Sequence, residues 1–481
     1  MMEHKLLVQR IGLVALMNIL SNLGGIVLLP ILSKNMPVED YGIWAQVTVT
    51  VGLASIVILL GLPNSMVRFM AATKGKDDIT ESFYSIFIVV LLMGLLASIP
   101  FIYFSVPLSN ALFGGNLFVT RILPLIIFVE ALNTILYTYF RTFQRMKIYS
   151  VFAFIGTYLG VGFAYFFVSA GYEIDGAVIG LFLSKIILFF IMFGLIAAEV
   201  GVAVPAFRNL RNYLAFGLPM VPSGLSDWVI NSSDRYVISI FLGTAYVGYY
   251  SPGYLLGNLI IMFIQPLGCV LPVALSKHYD EDKRDLVEDI LSRSLKYFLM
   301  LAIPATLGLS LLSKPILFVL STPDIANQSY MITPFVALGM VFFGITSIMS
   351  NIITLIKRTK IYAIIWFAAA ILNLVLTIML VPVIGIVGAA AATLMAFIAA
   401  FLLMVYFSRG LIRIAVDYKF LLKSVSASLI MASAIIIHSP MGLLDIIATI
   451  ILCIAIYFAM LFLLRGIDTD EMEFLKNIFH I

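Results

Sequence analysis

The chain is 481 residues long, with 62% apolar residues, only 11% charged ones and a mean hydropathy of +1.11. Soluble domains carry about 25% charged residues, so the composition excludes a soluble enzyme. A formal net charge of only +4, spread between apolar runs, excludes a nucleic-acid binder despite a pI near 8.8. What remains is an all-α polytopic protein of the cell membrane.

A spanning helix needs about 20 mostly apolar residues, and fourteen such runs follow one another. The first begins near Ile11 after a basic start (His4, Lys5, Arg10). It is too long for a signal-peptide core and has no cleavage site, so it reads as the first span. The next begin near Ile43, Phe83, Leu117, Ile148 and Ala177, then Leu214, Val247, Leu295, Thr333, Tyr362 and Gly388, and the last two near Phe420 and Asp445. Cys269 and Cys453 both lie in apolar runs, and His4, His278, His438 and His480 are scattered. Neither a disulfide framework nor a metal-ligand spacing results, and no cofactor is expected.

Basic residues set the orientation. With the N-terminus inside, the internal segments hold 24 Lys and Arg residues and the external loops only Lys34 and Lys314. The remaining three, Arg121, Lys185 and Arg235, sit within or at the edge of spans. Both termini are therefore expected in the cytoplasm. The external loops are short, leaving no domain to hold the catalytic groups of a membrane glycosyltransferase or polymerase. The charged stretch Ser276–Ser294 reads as an amphipathic helix at the membrane surface, and no phosphate-binding Gly-rich loop of the P-loop type occurs.

The chain repeats itself. Arg145-Met-Lys-Ile-Tyr resembles Arg358-Thr-Lys-Ile-Tyr, Gly176-Ala177 resembles Gly388-Ala389, and Tyr41-Gly-Ile-Trp44 resembles Val247-Gly-Tyr-Tyr250. Spans 1–6 thus map onto spans 7–12 in the same orientation. The expected organisation is two pseudo-symmetric six-helix lobes, 1–200 and 201–410, followed by two additional helices and a cytoplasmic tail, 411–481. Parallel repeats are a transporter feature, and Gly/Pro-interrupted spans at matching positions point to the substrate site. Span 1 carries Gly24 and Gly25, and span 7 carries Pro219 and Pro222. A proline removes a backbone donor and clashes with the preceding turn, so these four residues are the expected hinges.

At this point the motifs form a pattern. The runs Gly217-Leu-Pro-Met-Val-Pro-Ser-Gly-Leu-Ser226 and Asn231-Ser-Ser-Asp-Arg-Tyr236 resemble the seventh span of the polysaccharide flippase family (Wzx-type), within the multidrug/oligosaccharidyl-lipid/polysaccharide exporter superfamily. Leu29-Pro-Ile-Leu32, Tyr41-Gly42 and Gly61-Leu-Pro-Asn-Ser-Met-Val-Arg-Phe69 resemble its first two spans. The resemblance implies a flippase that moves a polyprenyl-(pyro)phosphate-linked oligosaccharide across the cytoplasmic membrane by alternating access, for cell-surface polysaccharide. Its partners would be that lipid and the membrane, with the protein a monomer and glycan-assembly proteins as possible associates. It also implies that the extra C-terminal pair accommodates the polyprenyl tail. The alternatives are an ion-coupled multidrug exporter and, in a different class, a membrane glycosyltransferase or polymerase.

An ionisable residue inside the bilayer costs about 2.5–3.5 kcal/mol on insertion scales. Arginine and lysine bind phosphate oxygens, so Arg68, Arg121, Lys185 and Arg235 are the candidate substrate-binding residues. Asp227, Asn231 and Asp234 share one stripe of span 7. Asp227 and Asp234, with Glu130 of span 4, are the candidates for coupling to H⁺ or Na⁺. A plainer reading stands beside each of these. The embedded charges pair with one another, Asp234 and Arg235 form a solvated helix end, Arg121 snorkels outward, Arg68 anchors the inner face, and Asp227 makes a structural hydrogen bond. Arg121 and Glu130 are half a turn out of phase, so on a straight helix they do not face one cavity.

Overall fold

Without water to satisfy them, backbone amides and carbonyls in hydrocarbon must bond within their own segment, and an apolar chain becomes helix. A computed structural model describes Met17, Leu20, Ser21 and residues 23–73, 75–412 and 414–466. Among them no strand occurs. The start of the first span, with Lys5 and Arg10, lies outside the described residues, as do Lys74, Arg413 and Lys476.

The helices in chain order are α1 (Leu23–Ser33), α2 (Val38–Leu59), α3 (Leu62–Met70), α4 (Lys76–Tyr103), α5 (Ser105–Leu112), α6 (Leu117–Thr142), α7 (Met146–Phe167), α8 (Glu173–Val200), α9 (Leu210–Gly217) and α10 (Val221–Leu242). They continue with α11 (Thr244–Asn258), α12 (Ile261–Asp280), α13 (Arg284–Leu320), α14 (Pro323–Ser329), α15 (Ile332–Leu355), α16 (Thr359–Ile384), α17 (Ile386–Ser408), α18 (Tyr418–His438) and α19 (Leu443–Leu463). Eleven helical runs among the described residues are long and apolar enough to cross a membrane.

One of these, Met146–Val200, runs for 55 residues. At 1.5 Å per residue it would reach about 80 Å, far beyond the roughly 30 Å hydrocarbon core. It folds back at Gly171, whose φ of 88° ends helical geometry. The returning helix packs antiparallel on the outgoing one: Gly156 faces Leu188, Gly160 faces Ser184, and Gly180 faces Ala164. Small residues on both sides let the two backbones approach, as membrane helix pairs require.

The chain packs into two compact units. One holds the residues up to Ser251 with 374–389, the other 252–373 with 390 onward. In the first unit, α2 ends where Leu60 and Gly61 both take positive φ (49° and 70°) and α3 continues the span. At Pro219, α9 passes into α10 through a single tighter turn, Leu218–Met220. The two interruptions touch, since a Cβ on Gly61 would stand 2.1 Å from the Gly217 carbonyl oxygen. Between α8 and α9 the connecting segment is held at both ends by α4. Thr80 donates to the Val200 carbonyl at 2.8 Å, Tyr84 to the Gly201 carbonyl at 2.9 Å, and the Arg208 amide donates to Glu81 at 3.1 Å.

The second unit contains the C-terminal hairpin α18–α19 packed on α13. Tyr457 of α19 donates to the Met300 carbonyl at 2.7 Å and shares a hydrogen bond with Ser424 at 2.9 Å. The stretch 276–294 is not a separate surface helix. It is divided between the end of α12, a turn at Glu281–Lys283 with Asp282 at φ 57°, and the first turns of α13. No breaker stands between Arg284 and the apolar part of α13, and the Arg293–Asp289 pair (2.8 Å) supports the continuous helix.

Candidate functional site

Within the first unit, α1, α2, α6, α7 and α8 enclose a half-open cavity of about 560 Å³. Its wall sets three charged side chains and several hydroxyl groups among apolar ones. Gly24, Gly25 and Ser21 line it from the first span, Thr157 and Tyr149 from α7, and Ser184 and Lys185 from α8. The largest polar share comes from α6, where Glu130, Thr134, Tyr137, Thr138 and Arg141 recur at helical spacing on one face. Lys185 Nζ bonds Glu130 Oε2 at 2.6 Å, with the side chains only 20% and 30% exposed. Asn133 Nδ2 donates to the Lys185 carbonyl at 2.9 Å and so fixes α8 against α6. Its own Oδ1 is buried without a partner among the described residues, as is Ser21 Oγ. An orphaned buried acceptor is costly, and it is the kind of group a ligand hydroxyl satisfies.

Gly24 is buried, and a Cβ there would lie 2.2 Å from the Thr157 side chain. Helix α1 runs unbroken through Gly24 and Gly25. In this structure the glycine serves close approach to α7 rather than a bend.

The sequence candidates separate into groups. Glu130 and Lys185 come together in the cavity. Arg121 sits exposed on α6 outside it, as the phase argument requires, and Arg68 is exposed on α3. Neither has an ion-pair partner among the described residues. Asp227 is exposed, with Asn231 Nδ2 donating to its Oδ1 at 3.2 Å and its carbonyl at 2.9 Å. Asp234 and Arg235 are not a solvated helix end. The Asp234 side chain is 0% exposed and accepts from Arg235 Nη1 at 2.9 Å and from Tyr250 OH. Arg235 in turn donates to the Asn231 carbonyl at 2.7 Å and lies over the Tyr250 ring at 5.5 Å. The stripe of span 7 passes from open to closed because α11 covers its far end.

That far end belongs to a seam running the length of α2. Trp228 donates to the Val49 carbonyl at 2.9 Å, Tyr236 and Thr50 share a hydrogen bond of 2.7 Å, and Gln46 donates to the Arg235 carbonyl at 2.9 Å. Beyond them the backbones of α2 and α11 meet directly. A Cβ on Gly42 would stand 1.9 Å from the Thr244 oxygen and 3.0 Å from the Gly248 amide. A Cβ on Gly248 would stand 2.2 Å from the Val38 oxygen and 3.2 Å from the Gly42 amide. The contact is reciprocal. Gly42 and Gly248 occupy matching places in the two repeats, as do Val38 and Thr244, so a local twofold passes between them.

Arg141 was not among the sequence candidates, because it resembles one more inner-loop cation. The signal that finds it is the polar stripe from Glu130 to Arg141 on an otherwise apolar span.

A bundle of apolar helices enclosing a charged cavity is the build of a membrane transporter. Residues 7–278 match the polysaccharide biosynthesis protein family, and the chain belongs to it. Residues 219–379 also match the MatE family. Two relatives in Haloferax volcanii are each 24% identical: a probable low-salt glycan biosynthesis flippase, Agl15, and a probable flippase, AglR. The first match covers 305 residues, 63% of each chain and so less than two thirds of that relative; the second covers 389, or 77% of each. Among solved structures, the lipid II flippase MurJ in an inward closed conformation superposes with a TM-score of 0.74, 18% identity, and 93% of this chain against 97% of that one. An inward-facing multidrug resistance MATE transporter gives 0.67 and 15%, covering 81% and 95%. The chain is thus a multi-pass cell-membrane protein with the fold of these transporters.

Proposed function

We propose that the protein is a flippase for a polyprenyl-(pyro)phosphate-linked oligosaccharide used in surface glycans, working by alternating access. The observation that carries this reading is the set of charged side chains in the cavity of the first unit. Two cations, Lys185 and Arg141, line it against one carboxylate, Glu130, a balance suited to an anionic sugar or phosphate. A cation exporter, the reading the MatE match keeps in view, needs the opposite balance. Lys185 and Arg141 would bind the anionic head, and Glu130, released when Lys185 turns to substrate, is the coupling candidate for H⁺ or Na⁺. The Asp234–Arg235 pair secures α10 to α11. Asp227, Arg68 and Arg121 keep their candidate roles outside this cavity.

The second unit supplies a place for the lipid. An apolar cavity of about 410 Å³ lies between α12, α13, α18 and α19, lined by Leu301, Gly308, Leu312, Met431, Cys453 and Tyr457 among others. Its wall is nearly free of polar atoms, as an isoprenoid chain requires. The proposed topology has fourteen crossings with both termini inside: the eleven apolar runs, one of them a hairpin counted twice, plus α10 and the span that ends in α1. The lobes proposed are 1–200 and 201–410.

The test is translocation in proteoliposomes of a fluorescent polyprenyl-pyrophosphate oligosaccharide, scored by access of an external glycosidase. Transport that is lost in the Lys185→Met variant while the protein stays folded supports the reading. Export of organic cations with no lipid-linked sugar movement refutes it.

A further inference from the structure

A second cavity, of about 690 Å³, lies in the second unit where the end of α13, the end of α18 and the turn at 439–442 meet. Its walls are mostly apolar, with one charged side chain, Lys314. By the distribution of basic residues this end is expected outside; Lys34 and Lys314, the latter in the last turns of α13, are the basic residues assigned to that side. Two rings hold the Lys314 ammonium: it lies 5.1 Å from the Tyr330 centroid and 5.9 Å from that of Phe318. Tyr330 is itself fixed to α13, because Ser313 donates to its carbonyl at 3.2 Å. Among the described residues Lys314 has no carboxylate partner. The acid that follows this turn is already engaged: Asp445 of α19 accepts from the Met441 amide at 2.7 Å and pairs with His438 at 2.7 Å.

This cavity continues the apolar one. Ile435 of α18 lines both, and α13 supplies the wall of both, Leu312 and Ile316 to the apolar cavity, Leu311 and Pro315 to the outer one. Along α13 the surface therefore passes from a dry apolar slot to a wider chamber ending in an unmatched cation. That is the profile of a lipid with a long hydrocarbon chain and a phosphate head. We propose that the outer chamber binds the phosphate head of an isoprenoid lipid in the external leaflet, with Lys314 as the phosphate contact and the aromatic pair orienting it. The site rests on the flippase reading for its biological lipid. Its chemistry, an anionic lipid head beside an apolar slot, is read from the chamber itself.

The experiment places a photoreactive benzoylphenylalanine at Met441 in the full chain. Proteoliposomes containing undecaprenyl phosphate, or phosphatidylglycerol in its place, are irradiated and the adduct is weighed by mass spectrometry. The expected result is an adduct with undecaprenyl phosphate that falls about tenfold on Lys314→Met, is retained on Lys314→Arg, and resists excess inorganic phosphate. An adduct indifferent to Lys314→Met overturns the proposal. So does equal capture of phosphatidylglycerol, which would mark an ordinary anionic-lipid contact, or displacement by inorganic phosphate, which would mark a free-ion site. Thermal unfolding shows that the Lys314 variants fold. Translocation measured on the same vesicles separates the two ideas. Wild-type vesicles that flip no lipid-linked sugar yet capture undecaprenyl phosphate retire only the transport reading. Vesicles that flip it with no adduct at residue 441 retire only the outer site.

Discussion

The reciprocal glycine contact between α2 and α11 allows a sharp test of alternating access. In Gly42→Ala the new methyl would begin 1.9 Å from the Thr244 oxygen, 2.8 Å from its carbonyl carbon and 3.0 Å from the Gly248 amide. Carbon–oxygen contacts settle at about 3.3–3.6 Å, so the helices must part by roughly 1.4 Å. Every atom in the way is backbone, and no side chain can turn aside. Overpacking of this kind costs about 1–3 kcal/mol. If the contact opens in the transport cycle, the cost falls on the closed state alone. A 2 kcal/mol penalty then raises the opened fraction about thirtyfold, since 1.4 kcal/mol is a factor of ten. Val247, fully buried beside the contact, is the reporter. Labelling of Val247→Cys by a membrane-impermeant maleimide should rise about thirtyfold in Gly42→Ala. Gly162→Ala is the control, because nothing lies within 4 Å of a Cβ there. Gly248→Ala should reproduce the effect, and the double variant should fall short of additivity because both methyls separate the same backbones. Labelling that matches the Gly162→Ala control would refute the argument that this seam opens.

Three further outcomes follow from the packing. Lys185→Met should abolish translocation and lower stability by about 1–2 kcal/mol, below the range for a fully buried pair because the cavity admits water; adding Glu130→Gln should restore the unfolding temperature but not transport. Arg235→Met leaves the 0%-exposed Asp234 carboxylate, among the described residues, with Tyr250 and the neighbouring amide of residue 235, and should cost about 3 kcal/mol. Asp234→Asn with Arg235→Met should recover more than half of that in thermal unfolding and keep glycan export, whereas export lost in a stably folded double variant would show that the pair contacts substrate. Gly308→Phe fills the apolar cavity of the second unit: stability should rise by about 0.3–0.5 kcal/mol from the helix interior alone, while lipid-linked sugar movement falls in the proteoliposome assay.

The fold was legible because its controlling physics is coarse. Span length needs no tertiary information, and the weak repeat at Tyr41-Gly42 and Val247-Gly248 pointed to residues that meet in space. Proline chemistry located the interruption before α10 for the same local reason. The site was harder to read. Glu130 and Lys185 were both marked as buried charges, yet their partnership depends on how α6 packs on α8. Asp227 and Asp234 lie on one stripe, but only the presence of Tyr250 makes one of them buried and the other open. Gly24 and Gly25 looked like a hinge, whereas the demand on Gly24 comes from Thr157 on another helix. Arg141 was concealed by its neighbours in sequence, Arg145 and Lys147, which belong to the inner-face pattern. The surface helix expected at 276–294 dissolved into two long helices because charge alone does not terminate a helix.

The grip of α4 on the segment joining α8 to α9 bears on how the polypeptide can be cut. Val202 and Val204 are 83% and 92% exposed, while Thr80 and Tyr84 hold the carbonyls just before them and Glu81 the amide just after. Continuity of the main chain is therefore redundant at this point. Two separately expressed fragments, divided between Ala203 and Val204, remain joined by the Arg208 amide on Glu81 and by Tyr213 on Ser65 and Ser82, and should reassemble in the bilayer.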